Sequence, residues 1–195
     1  RPRWYDADGN YVYSFNQARK RELGSWDPKL YGGFNTRVNF YNFDLGIQFN
    51  YSYGNKLFVN DVRYLENEGA FDDSPPTNYL MDTRWKNPGD EAFSPQIRQG
   101  GNNGADNFSS RQLMDASYLR LKSIVLGYTI PSSILAKASI KMFRAYISID
   151  NLYTFTVNKG MYAYRGYDPE AGLGGTQAAN YPISINYAIG VSLGF

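Results

Sequence analysis

The last thirteen residues alternate without a fault. Ile183, Ile185, Tyr187, Ile189, Val191, Leu193 and Phe195 are large and apolar, and Ser184, Asn186, Ala188, Gly190, Ser192 and Gly194 between them are small or polar. A period of two held this long predicts a β-strand with two chemically different faces. Strands of soluble proteins usually run about 5–6 residues, whereas a tilted strand that crosses a bilayer needs about 9–11.

The same period returns upstream. Phe43, Leu45, Ile47, Phe49, Tyr51 and Tyr53 alternate with Asp44, Gly46, Gln48, Asn50, Ser52 and Gly54. Just before them, Phe34, Thr36, Val38 and Phe40 alternate with Asn35, Arg37 and Asn39. The two runs meet at Tyr41-Asn42, which reads as a tight hairpin turn. A further run sets Phe143, Ala145, Ile147 and Ile149 against Arg144, Tyr146, Ser148 and Asp150. The run 117–130 changes parity: Leu119 and Leu121 lead, then Ile124, Leu126, Tyr128 and Ile130 follow one position out of step. Either a bulge near Ser123 absorbs one residue, or the first half projects beyond a membrane.

Connections alternate in length. Tyr41-Asn42 and Pro131–Ala138 are short, and 55–116 and 156–181 are long. Outer-membrane barrels have short periplasmic turns and longer external loops, so the long connections are expected outside. Segment 55–116 reads as a polar loop punctuated by Ser74-Pro75-Pro76, Asn87-Pro88-Gly89-Asp90 and Gly100-Gly101-Asn102-Asn103-Gly104, with one short helix over Phe58–Glu66. Residues 1–29 read as a hairpin about Asp8-Gly9, flanked by Trp4-Tyr5 and Tyr11-Val12-Tyr13. The fold class is therefore all-β: antiparallel strands of a large transmembrane β-barrel with long extracellular loops. A soluble β-sandwich also buries one face of each strand. Strand length, unequal connections and the aromatic strand ends Tyr51, Tyr53, Tyr128 and Tyr153 favour the barrel.

Composition narrows the chemistry. Aromatic residues make up 17% of the 195 positions, which argues against disorder. Charged residues are 19% and the net charge is +2, so no footprint for nucleic acid is present. Cysteine and histidine are both absent. Disulfide staples, thiolate metal sites, a Ser-His-Asp triad and His-bound zinc are therefore not built from this chain. Mean hydropathy is −0.51, as expected where only alternate residues meet lipid. The opening Arg1-Pro2-Arg3 reads as an internal or processed start.

Motifs run in a recognisable order: Asp115-Ala116-Ser117-Tyr118-Leu119-Arg120-Leu121-Lys122, Leu126-Gly127-Tyr128-Thr129-Ile130-Pro131, Arg144-Ala145-Tyr146 and Asp150-Asn151-Leu152-Tyr153-Thr154-Phe155. Gly166-Tyr167-Asp168-Pro169-Glu170 and Tyr181-Pro182 then precede the terminal strand. Upstream stand Leu23-Gly24, Pro28, Tyr31-Gly32-Gly33, Phe43-Asp44-Leu45 and Arg84-Trp85 before Asn87-Pro88-Gly89-Asp90. With these, nearly the whole of 1–195 resembles the C-terminal barrel segment of SusC/RagA-type TonB-dependent nutrient transporters. The resemblance implies a barrel of about 22 strands closed by a plug. It implies import of oligosaccharides or peptides, a SusD-type surface lipoprotein as lid, and the TonB complex acting through regions outside this chain. It also implies localisation in the outer membrane, contact with the lipid bilayer, insertion by the barrel-assembly machinery, and no cofactor. A siderophore receptor, a porin and a soluble β-rich binding domain remain as other readings. Gly190, Leu193 and Phe195 fit the terminal assembly signal of such barrels, although Ala188 stands where a polar residue is usual. Five strands with a lipid face do not close by themselves, so the remaining barrel is expected to pair with Leu30–Asn39 and Ile183–Phe195.

Candidate sites are few. Asp6-Ala7-Asp8-Gly9 has its glycine at the fourth position, not the sixth of a calcium loop, and reads as a plain turn. Asp168 and Glu170 read as solvated loop acids, with no catalytic cleft to mark them, and no catalytic or metal site is assigned. Tyr79, Trp85, Tyr162, Tyr164 and Tyr167 are the candidates for stacking on cargo, the alternative being packing within the loops or against a lid. Arg37, Asp44, Arg120, Lys122, Arg144 and Asp150 are expected on the polar wall of the barrel as a structural network.

Overall fold

The computed structural model describes residues 1–136, 139–157, 168–170, 174–178, 181 and 183–195. In chain order the strands are β1 (Trp4–Tyr5), β2 (Tyr11–Val12), β3 (Leu30–Phe40), β4 (Phe43–Tyr53), β5 (Lys56–Val59), β6 (Leu113–Asp115), β7 (Tyr118–Thr129), β8 (Met142–Thr156), β9 (Thr176–Gln177) and β10 (Asn186–Gly194). The helices are α1 (Asp61–Leu65), α2 (Asn78–Thr83) and α3 (Ser132–Leu135). Two units are resolved by compactness, one comprising 1–26, 56–115 and 160–180, the other 27–55, 116–159 and 181–195.

The second unit is a five-stranded antiparallel sheet in the order β10-β8-β7-β4-β3. Register lines the apolar positions up in rows across all five strands. Val38, Leu45, Leu126, Ile147 and Ile189 form one row, and Phe40, Phe43, Tyr128, Ala145 and Val191 form the next. No described residue covers this face: Val38 is 54% exposed, Ile147 49% and Ile189 83%. Soluble monomers rarely leave so large an apolar patch open. Aromatic contacts stiffen it, with Phe34 stacked on Phe49 at 4.9 Å and Phe43 against Tyr128 at 4.7 Å between ring centroids. Four of the five strands reach 11 to 15 residues, enough to cross a bilayer.

The parity change in 117–130 is a bulge. Gln48 faces Ser123 and Phe49 faces Leu121, so Lys122 is the additional residue on β7. At the same level β8 carries Asn151 and Leu152 between the partners of Ser123 and Leu121. Leu119 and Leu121 thereby rejoin the apolar face opposite Tyr51 and Phe49. The hairpin turn at Tyr41-Asn42 stands as read, with Tyr41 at φ 52°.

Two boundaries and the content of one segment differ from the sequence reading. The last strand begins at Asn186 rather than Ile183, because Asn186–Asp150 is the final pair with β8. Immediately beyond it Asn151 takes φ 57° and the ladder stops. The helix expected over Phe58–Glu66 is only Asp61–Leu65: Lys56–Phe58 pair with Leu113–Asp115, burying Leu57, and Val59 beside them is buried too. Segment 56–115 is also more than a polar loop. It carries β5, β6, α1 and α2 around a small core of Leu57, Val59, Val62, Leu80, Ala105 and Met114. Buried polar side chains there bond to backbone. Asn67 donates to the Tyr64 and Ser74 carbonyls at 2.7 and 2.8 Å, and Asn102 donates to the Gln96 carbonyl at 2.7 Å.

Among the described residues no helix is long and apolar enough to cross a membrane, a statement that does not bear on strands.

Candidate functional site: a polar wall and an aromatic cleft

The face of the sheet opposite the apolar rows carries the charged residues expected on a barrel wall. Asp44 on β4 and Arg144 on β8 lie on strands that are not neighbours, since β7 runs between them. Their side chains nevertheless meet in a two-point ion pair, with Nε to Oδ1 at 2.9 Å and Nη2 to Oδ2 at 2.6 Å. The pair crosses β7 over Gly127, which faces Asp44 in the register and is buried. A methyl group placed on Gly127 would collide with the Arg144 guanidinium and the Asp44 carboxylate. The same device repeats one strand further on: Gly190 faces Tyr146, and a methyl on Gly190 would collide with the Tyr146 ring and hydroxyl. Arg144 lies 5.0 Å over the Tyr146 ring, which joins the two contacts. A belt of Asp44, Arg144 and Tyr146 therefore runs across four strands, β4, β7, β8 and β10, bedded on two glycines.

Arg37 lines the hollow of about 560 Å³ beside this belt, and higher on the wall Arg120 is fully buried with Nε donating to Thr154 Oγ1 at 2.9 Å. Lys122 sits at the bulge, and Asp150 is paired in register with Ser123 and Asn186.

Of the residues expected to form an assembly signal, Gly190 has a packing role beneath Tyr146 that no sequence period shows. Leu193 pairs with Phe143 on the apolar face, and Phe195 follows the strand with 77% of its surface exposed.

The other unit holds a cleft of about 870 Å³. One wall is the β1–β2 hairpin, whose antiparallel pairing matches the Asp8-Gly9 reading. Asp6 Oδ1 accepts from the Asn10 and Asp8 amides at 2.8 and 2.9 Å, so this is an ordinary Asx turn. Those amides, Asn10 first, hold its carboxylate below the usual range. Trp4, Tyr5 and Tyr13 face the cleft from this side. From the other side come Trp85 and Phe93, held by the segment 84–94: the Trp85 amide donates to the Ser94 carbonyl at 2.8 Å, and Asp90 caps the Asn87 amide at 2.7 Å. At the rim Arg3 Nη2 reaches Glu91 Oε1 at 3.1 Å, an exposed bridge from wall to wall. At the floor Arg111 pairs with the buried Glu68 and donates to Ser94 Oγ at 3.1 Å. Burial pushes the Glu68 carboxyl up, against the opposing pull of Arg111.

Trp85 is thus a cleft residue, and Tyr79 is not: it lies on α2, exposed, outside the lining. Tyr162, Tyr164 and Tyr167 lie outside the described residues. Trp4, Tyr5 and Tyr13 were not legible as site residues, because the sequence places them far from Trp85, and Phe93, although near it in the chain, carries no periodic signal that sets it apart. Asp168 Oδ1 accepts the Glu170 amide at 3.0 Å, in keeping with a local turn.

No family model matches the chain. Two receptors of Formosa agariphila are similar to it: TonB-dependent receptor P3, 30% identical over 93% of this chain, and TonB-dependent receptor P39, 26% identical over 96%. The chain spans 17% and 18% of their lengths. Among solved structures, the RagAB peptide importer in its open-open state superposes over 99% of this chain and 20% of that one, at TM-score 0.79 and 30% identity. Its closed-closed state matches over 96% at TM-score 0.74 and 32% identity.

Proposed function

Since the chain is a barrel segment of the SusC/RagA-type TonB-dependent receptors, we propose that its parent protein imports large nutrients, oligosaccharides or peptides, across the outer membrane. Transport rather than catalysis is the proposed activity. The same proposal puts the segment at the C-terminal end of the barrel, with a SusD-type lipoprotein as surface partner and the TonB complex supplying energy elsewhere in the receptor. The single observation that supports this most is the sheet itself: five strands whose apolar rows are uncovered and whose opposite face carries the Asp44–Arg144 belt. That distribution suits a wall with lipid on one side and a polar bore on the other. Similarity to named receptors and to an importer over almost all of the chain points the same way.

Deletion of the gene should abolish growth on one glycan or peptide as sole carbon or nitrogen source. A growth defect confined to iron limitation would favour a siderophore receptor and sink this reading. For topology, Lys86→Cys on segment 84–94 should react with an impermeant maleimide in intact cells and Ser133→Cys at α3 should not, and the reverse labelling would invert the orientation.

A further inference from the structure

The cleft between the β1–β2 hairpin and segment 84–94 is a site that neither the wall nor the membrane face requires. Its volume falls within the range of small-molecule and peptide-side-chain sites. Both walls are aromatic, Trp4, Tyr5 and Tyr13 against Trp85 and Phe93, which suits a flat apolar group entering between them. Its rim carries both signs of charge, Arg3 on one wall and Asp90 with Glu91 on the other. A neutral sugar ring would use the aromatic walls but has no need of two opposite charges. A peptide uses all of it, since ring-bearing side chains and charged neighbours of either sign occur along one chain.

We propose that this cleft, on the transport reading above, is a binding site for a ring-bearing residue of a peptide, and that the Arg3–Glu91 bridge is its latch. The bridge joins residues 88 positions apart, and its two side chains are 47% and 83% exposed. An ion pair this open to water contributes little and breaks readily. Arg3 is also held 4.4 Å over the Tyr11 ring, so it keeps a resting place on its own wall when Glu91 lets go. Entry then requires only that Glu91 exchange its partner for solvent or for a cationic group of the peptide.

The test uses the purified full-length receptor in detergent and calorimetric titration with a hexapeptide carrying one central Phe flanked by Lys and Glu. Trp85→Ala should weaken binding by about tenfold or more, as truncating a central aromatic does. Trp85→Phe should restore most of the affinity, which separates a ring contact from misfolding. Glu91→Gln should speed association in stopped flow by a few-fold, because electrostatic and gating effects act on on-rates. The same peptide with Ala in place of Phe should bind far more weakly. Equal affinity of wild type and Trp85→Ala, equal affinity for the Phe and Ala peptides, or displacement of the peptide by maltohexaose would each overturn the assignment. Such a result leaves the transport reading standing. Normal growth of the deletion strain on every glycan and peptide source would instead remove that reading without touching the binding result.

Discussion

Replacing Gly127 by Ala tests whether the Asp44–Arg144 pair is built over that glycine. Gly127 is not in the left-handed region, so its backbone accepts a side chain. Taken alone, Gly→Ala would then stabilise by about 0.4–1 kcal/mol through the unfolded chain. The methyl, however, occupies the space where the guanidinium and carboxylate meet. Both side chains are only about a fifth to a quarter exposed, 19% for Asp44 and 24% for Arg144. Losing such a pair costs more than the roughly 0–1 kcal/mol of a surface bridge and less than the 3–5 of a buried one. Setting about 1–3 kcal/mol for the pair against the backbone gain leaves a net loss of up to about 2.5 kcal/mol. In an Asp44→Ala/Arg144→Ala background the collision has no partners, and Gly127→Ala should be neutral or slightly stabilising. Urea unfolding of the full-length receptor in detergent, followed by heat-modifiable migration, measures all four proteins. An equal loss in both backgrounds would refute the argument, because the methyl would then be acting through the backbone or another neighbour.

Three further outcomes are expected. Ile147→Arg, in the middle of an apolar row, should cost about 2–4 kcal/mol while Ser148→Arg on the opposite face costs little, measured by the same unfolding assay; equal effects would contradict the two-faced wall. Deleting Phe195 should sharply lower outer-membrane abundance on immunoblots of membrane fractions, and normal abundance would remove the assembly role given to this end of the chain. Glu68 has its folded pKa raised by burial, so its contribution to stability is present below the unfolded value and is lost as pH rises through the folded one. Limited proteolysis within 56–115 should therefore speed up as pH climbs out of the acidic range, and Glu68→Gln should flatten that dependence.

Much of the sheet was legible because its signal is periodic and local. Tyr41-Asn42, the alternation in 43–53 and the parity slip at Lys122 each left a mark that nearest-neighbour spacing could read. The small core under Leu57, Val59 and Leu80 left none, since two short strands pair there across more than fifty residues, beyond any window of periodicity. The same limit applies to the site. Trp85 stood out as an aromatic in a polar stretch, but its companions Trp4 and Tyr13 belong to a hairpin that composition ties to nothing else. Tyr79 stood out for the same reason as Trp85, and the helix of Asn78–Thr83 carries it elsewhere. Gly127 stood within a family motif and Gly190 within the expected assembly signal, but neither showed a packing role in the sequence. Their importance comes from long side chains on the adjoining strand, and the register alone reveals it.

The two glycines also bear on how much room a cargo finds. Arg144 and Tyr146 are among the longest side chains on the polar face, and upright they would stand away from the sheet, into the bore that the transport reading puts there. Reclined over Gly127 and Gly190, they lie along the sheet instead, and their bulk is taken up against its surface. On the transport reading proposed above, a substitution that fills either glycine would narrow the passage as well as loosen the sheet, by tipping a large side chain into it. Throughput of bulky solutes could fall even where the barrel assembles normally, and small solutes would pass as before.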